Sequence, residues 1–410
     1  MNAVTLSAAQ WTPIGPAPIH TQGGLNEISG RVEAAAADPL DPSTIYIGGD
    51  NGGIWKTTTS PPNWTPLTDS MQSLNVSGYH SLLVHPANNK LVLGLVSGPG
   101  AGILQSLDGG NTWQLLANNR FDGQFLTSLA VHPTDQNTLY LSASWFGAWK
   151  SADGGVTWQQ ISSLPGGSVW DLILAKFDSK TLYAAVVGNT GAQQAQNGIY
   201  KSTDSGTTRT LLSGLPSGAA LGANNADGSS ASGAVRIESG TAQGVIYVSM
   251  LTLGPNPSPP PSLAVTAIQR FRTGDGGASW TPLTQSSANL EDRSWHLLLG
   301  VDPADEKHVF VNDAYSLFES LDAGKTWSQA DVGIINPFDF VDLTFDANGK
   351  ALVTADQGVL RYDPVTKGWT SLMGNLEVSE FYTIGLDPST PSVAYAVGQD
   401  ILALWYPAQP

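Results

Sequence analysis

Between Leu126 and Ile161 the apolar and polar positions alternate in short bursts: SLAVHP, then TLYLSA, then GAWKS, and finally TWQQI. A period of two over about five residues, interrupted by Gly, Asp and Asn, marks half-buried strands joined by tight turns. Helices would instead show apolar residues three and four apart. Four such strands in succession predict one antiparallel meander.

The unit recurs along the chain. Its last turn reads SLDGGNTW at Ser106–Trp113 and SADGGVTW at Ser151–Trp158, and the phrase S/T-x-D-x-G-x-T/S-W returns at Thr273–Trp280 and Ser320–Trp327. STDSGTTR at Ser202–Arg209 lacks only the Trp, while TTTSPPNW (Thr57–Trp64) and YDPVTKGW (Tyr362–Trp369) are eroded copies. That makes seven closing turns. At the N-terminus, QWTPIG (Gln10–Gly15) matches NWTPLT (Asn63–Thr68), and the C-terminal SVAYAVGQDILALWYP holds second and third strands without a fourth. The predicted fold is therefore all-β: a single eight-bladed β-propeller of four-stranded antiparallel blades over residues 1–410. Its last blade is closed by the N-terminal strand 10–15 pairing with Ile401–Tyr406. The mean spacing of about 51 residues between closing Trp positions suits a propeller repeat. Closure removes sheet edges that would otherwise pair with other chains.

Within the phrase, Asp108, Asp153, Asp204, Asp275 and Asp322 fall in the hairpin between third and fourth strands. A carboxylate there accepts hydrogen bonds from turn N–H groups. The following Gly takes a positive φ at little cost, and the Trp packs between sheets. Catalytic groups are singular, whereas these acids recur in nearly every blade. The expectation is a structural role, with no metal.

The phrase resembles the Asp-box, or BNR repeat, found in sialidases, two-propeller xyloglucanases, the sortilin ectodomain and photosystem II assembly factors. The opening WTPIGPAPI…SGRVEAAAADPLDPSTIYIGGDNGGIWKT is similar to bacterial glycosyl-hydrolase-like BNR proteins. The resemblance implies the propeller fold over nearly the whole chain; for activity it implies only a superfamily containing enzymes, receptors and assembly factors. The sialidase Arg-Ile-Pro signature is missing, since the early arginine sits in SGRVEA, and the length suits one propeller rather than two.

Composition narrows the function. With 18 Lys plus Arg against 34 Asp plus Glu, the net charge of -16 repels nucleic acid. No basic amphipathic stretch or long apolar run points to a membrane. The absence of Cys removes disulfides, thiolate zinc sites and Cys nucleophiles. The opening MNAVTLSAAQW lacks the basic and apolar regions of a signal peptide, although the composition leans towards a mature secreted domain. No Walker loop, dinucleotide fingerprint, HExxH or Ser-His-Asp phrase occurs, so no cofactor is expected. A monomer is expected.

The site is predicted on the face opposite the repeated turns, where inner strands begin. Arg31, Glu33, His80, Asp171, Arg236, His296, Asp342 and Tyr382 put polar groups there, with Trp170 and Trp295 beside them. Insertions at 188–198, 212–233 and 251–266 should roof one side, and Trp145 and Tyr315 offer stacking surfaces on the rim. Such a funnel suits a small molecule or glycan; the plain alternative is a water-filled channel. If catalytic, the chemistry would be glycosidase-like, with Asp171 as acid and Asp342 as partner. Glu33, Asp122, Asp339 and Glu380 are substitutes. A glycan binder, a cofactor-independent cyclase or lyase, and a non-catalytic interaction scaffold are the other readings.

Overall fold

The computed structural model describes residues 19–20, 27–71, 75–76, 78, 80–188, 191–224, 230–232, 235–255, 263–284, 297–313, 316–330, 340–378, 381–386, 388–389, 394–398 and 404–406. Seven four-stranded antiparallel sheets form the blades of a propeller. Their innermost strands are Val32–Asp38, Leu82–His85, Leu126–Val131, Ser168–Leu174, Val235–Ser239, Leu299–Val301 and Phe340–Phe345, for blades one to seven in that order. Each blade runs outward through two further strands to a short fourth strand after the repeated turn, ending in blade seven with Gly368–Ser371. The hydrophobic core lies between sheets: alternate strand residues from adjacent blades interdigitate, as Val187, Ile199, Ile237 and Val248 do between blades four and five.

The expected eight blades are corrected to seven. The inner strand of blade seven packs directly on that of blade one. Leu352, Val359, Leu372 and Val378 share one cluster with Val32, Ile45, Ile47 and Trp64. One repeated bond shows that this contact is an ordinary blade-to-blade junction. Trp327 Nε1 donates to the Thr284 carbonyl (2.9 Å), and Trp369 Nε1 to the Ala330 carbonyl (2.8 Å), each just past the last strand of the preceding blade. Trp64 of blade one makes the same bond to Leu372, just past the last strand of blade seven (2.7 Å). The ring is full. A further three-stranded sheet, Phe381–Leu386, Ala394–Gly398 and Leu404–Tyr406, follows in sequence but is not inserted between blades seven and one. The pairing proposed for strand 10–15 lies outside the described residues.

The repeated turn behaves as the residues dictate. In blade two, Asp108 Oδ1 accepts the Thr112 N–H (2.9 Å) and the Ser106 hydroxyl (2.8 Å), while Oδ2 accepts the Thr112 hydroxyl (2.7 Å). Asp153, Asp204, Asp275 and Asp322 repeat this geometry. The bonds favour the ionised carboxylate, holding Asp108, Asp204 and Asp322 down at about 2. Gly110, Gly155, Gly206 and Gly277 have φ of +93°, +95°, +92° and +95°.

Candidate functional site

The inner strands carry a recurring irregularity near their upper ends. Register shifts between Val32 and Ala34, Leu126 and Ser128, Val169 and Asp171, and Phe340 and Asp342 place one extra residue at the same height. Such a bulge sends two successive side chains in directions an unbroken strand would not allow. Glu33 and Trp170, at the bulge, remain partly open. The next residue turns between blades. Ser128 Oγ accepts the Leu172 N–H and Asp171 Oδ2 accepts the Ile237 N–H, both at 2.9 Å. Asp171 is 0% exposed and Asp342 1%. Each also keeps one buried carboxylate oxygen without a hydrogen-bond partner, Asp171 Oδ1 and Asp342 Oδ2.

At the centre, His80 joins three blades. It has φ +52°, and its Nε2 lies 2.5 Å from Glu238 Oε1 on blade five while Nδ1 lies 3.7 Å from Asp342 on blade seven. Lys176 Nζ stands 3.5 Å from the other Glu238 oxygen. Burial alone would lower the His80 pKa, but Glu238, Asp342 and Asp171 outweigh it and hold it up at about 9. His80 is therefore cationic at neutral pH. Burial raises Asp171 to about 6 against the pull of Arg236 and His80, and raises Asp342 against His80. For Glu238, the Lys176 and His80 charges outweigh burial and lower the pKa.

A second cluster sits on the upper face between blades one and seven. Arg31 pairs through Nε with Glu33 and through Nη1 with Asp356 (2.8 Å). Asp50 follows on the turn after Asp41–Gly49; its N–H donates to the Arg31 carbonyl (3.2 Å), and its charge acts on both Arg31 and Glu33. Burial raises the Glu33 pKa against the lowering pull of Arg31.

The third feature is aromatic. Trp145 is 58% exposed and Phe125 64%, and the Ser144 N–H donates to the Phe125 carbonyl at 2.8 Å, so both stand at the upper end of blade three. Trp145 takes φ +62°, rare for a bulky residue. Its N–H donates to Ser168 Oγ (3.0 Å) of blade four. Beneath it Phe146 stacks on Trp149 at 5.0 Å.

Of the expected site residues, the structure gathers His80, Asp171 and Asp342 at the centre, with Arg236 acting electrostatically on both carboxylates. Arg31 and Glu33 stand in the upper cluster, Trp170 packs with Leu251, Leu297 and Ile268 of the next blades, and Trp145 lies on the rim. Asp122 ties two loops together, accepting the N–H of Gly100 from the turn between the second and third strands of blade two (2.7 Å). Trp295, His296, Tyr315, Asp339, Glu380 and the Tyr382 side chain lie outside the described residues. The insertions are described in part: a helical turn at Gly191–Gln194, a small hairpin from Gly222–Asn224 to Ser230–Ser232, and the lengthened strands Ile246–Pro255 and Leu263–Thr273. Asp50, Asp356, Glu238, Lys176 and Phe125 were not anticipated. The available signal was acidic residues in the upper turns GGDNGG and TADQGV and a Glu inside the apolar strand VRIES.

No protein-family model matches the chain. The xyloglucanase Xgh74A of Acetivibrio thermocellus is 27% identical over 337 residues, covering 69% of this chain and 36% of that protein. The structure of the GH74 xyloglucanase from Xanthomonas campestris superposes with a TM-score of 0.67 at 19% identity, covering 94% of this chain and 59% of that one. What they share is the β-propeller. A structure of YCF48 bound to D1 peptide has a TM-score of 0.53 at 14% identity, covering 82% of this chain and 94% of that one. The chain spans about a third of the length of Xgh74A.

Proposed function

We propose that the protein is a carbohydrate-active propeller that takes a xyloglucan-type β-glucan across its upper face. The observation that carries this reading is the aromatic shelf. A Trp held at φ +62° and left 58% exposed beside a 64% exposed Phe is costly in folding terms, and strain of this kind persists where a ligand uses it. Flat aromatic faces suit the apolar faces of sugar rings. The shelf lies on the same face as the Arg31, Glu33, Asp50 and Asp356 cluster, whose charged groups suit sugar hydroxyls. The relatives named as xyloglucanases support that substrate class.

Hydrolysis needs one carboxyl group held protonated and another ionised. Glu33, which is paired with Arg31, and Asp50, on the turn beside it, are the carboxyl groups this reading assigns to that step on the upper face. Asp171 and Asp342, the pair favoured by sequence, belong in this proposal to the support beneath: both are closed to a polymer and bind backbone or His80.

Titration calorimetry with xyloglucan and cello-oligosaccharides, alongside a reducing-end assay, tests the reading. Trp145→Ala with Phe125→Ala should weaken oligosaccharide binding at least about tenfold. Unchanged affinity in the double variant, or no binding by the parent protein, would sink it.

A further inference from the structure

The central channel is open from below as well. Beneath His80 and Glu238 lies a cavity of about 360 Å³, on the face that carries the repeated turns. Its walls come from the lower ends of the inner strands: Ala37, Leu83, Ala130, Val131 and Leu174 among others. The wall is mainly apolar, with polar groups from His80, Lys176, Glu238, Ser239 and Thr344, and its size falls within the range of about 300–1,000 Å³ typical of small-ligand sites.

Charge is confined to one place. Glu238 closes the upper end with His80, to which it is tightly bound, and Lys176 stands beside it with its side chain 39% exposed. The Lys176–Glu238 distance of 3.5 Å is at the limit of a hydrogen bond, so the ammonium retains donors for another partner. The acids that follow the inner strands are engaged in their own turns: Asp178 accepts the Lys180 N–H and the Thr181 hydroxyl. Asp38, Asp302 and Asp346 each accept an N–H of their own turn, from Leu40, Ala304 and Asn348.

We infer that this lower vestibule is a second binding site, for a small apolar carboxylate whose hydrocarbon part fills the channel and whose carboxylate pairs with Lys176 Nζ. The site is separate from the upper face, because the His80–Glu238–Asp342 contacts lie between the two. With His80 occupied by Glu238, the apolar part of the wall and the half-exposed Lys176 ammonium together select the ligand: an alcohol of the same length lacks the charge, and an amine meets Lys176 with like charge. An acyl or aryl carboxylate satisfies both.

Calorimetry on the intact chain with octanoate, octanol and octylamine tests this. Octanoate should bind saturably, at least about tenfold more tightly than octanol, with octylamine weakest. Lys176→Gln should remove the octanoate preference while leaving octanol unchanged. Ala130→Phe, which places a ring in the vestibule, should abolish binding of both, and its circular dichroism and melting must match the parent for the result to count. Leu174→Trp, which adds a bulky ring to the wall, provides a second block should Ala130→Phe misfold. Equal octanoate affinity in parent and Lys176→Gln, full binding in a folded blocked variant, or no saturable binding overturns the assignment. Oligosaccharide binding on the upper face should be unaffected by these changes, so the two readings fail independently.

Discussion

Trp64 reports directly on how the ring closes. Its side chain is 2% exposed, is packed with Leu372, Leu376 and Val378 across the junction of blades one and seven, and donates its indole N–H to the Leu372 carbonyl. Trp64→Ala removes the ring from a site where backbone bonds to Asn375 continue to hold the chain in place, so the void cannot readily collapse. The expected loss is about 3–5 kcal/mol. Trp64→Phe keeps most of the packing but leaves the Leu372 carbonyl without its donor, for about 1–3 kcal/mol. Urea unfolding followed by far-ultraviolet circular dichroism measures both. Trp369→Ala, which breaks the corresponding bond between blades seven and six, is the control. If blade one follows blade seven as any blade follows its neighbour, the two alanine variants should fall within about 1–2 kcal/mol of each other. A Trp64→Ala protein that loses less than about 1 kcal/mol while Trp369→Ala loses several would refute seven-bladed closure.

Asp153→Ala removes the acceptor for the Thr157 N–H and for two hydroxyls in a solvent-exposed turn. It should cost about 1 kcal/mol in stability and leave oligosaccharide affinity unchanged; a loss of affinity without a loss of stability would reverse the roles. His308 is buried between Asp302 and Glu319, each 2.9 Å from a ring nitrogen, and although burial opposes it these bonds raise its pKa to about 9. Its contribution to stability is thus fully present below the unfolded value of about 6.5 and is lost as pH rises through about 9. His308→Gln should flatten that alkaline decline in a melting-versus-pH series. Asp171→Asn keeps an acceptor for the Ile237 N–H, so it should retain binding and any turnover, whereas Asp171→Leu should destabilise by about 1–3 kcal/mol. Abolished turnover in a well-folded Asp171→Asn protein would return that residue to the acid role.

What the sequence determined by itself was local. Strand alternation, the turn glycines and the S-x-D-x-G-x-T-W hydrogen bonds all involve residues within a few positions of each other, so the four-stranded blade and the hydrogen-bonded turn at Asp108 and its counterparts were legible from one chain. The number of blades was not. A WTP match at Trp11 counts as a blade on paper, but closure depends on whether Trp64 reaches Leu372, a contact between chain positions far apart. Strand parity was not legible either, for a related reason. A bulge at Glu33 or Trp170 leaves the composition of the strand unaltered yet sends the following residue between blades, which is why Asp171 is fully buried and Glu33 only partly so. His80 meets Glu238 and Asp342 only because the ring curls blades two, five and seven around one axis. Short-range hydrogen bonds are fixed by neighbours in sequence; the charge state of a buried group depends on whichever neighbours folding brings to it, and only the tertiary structure supplies those.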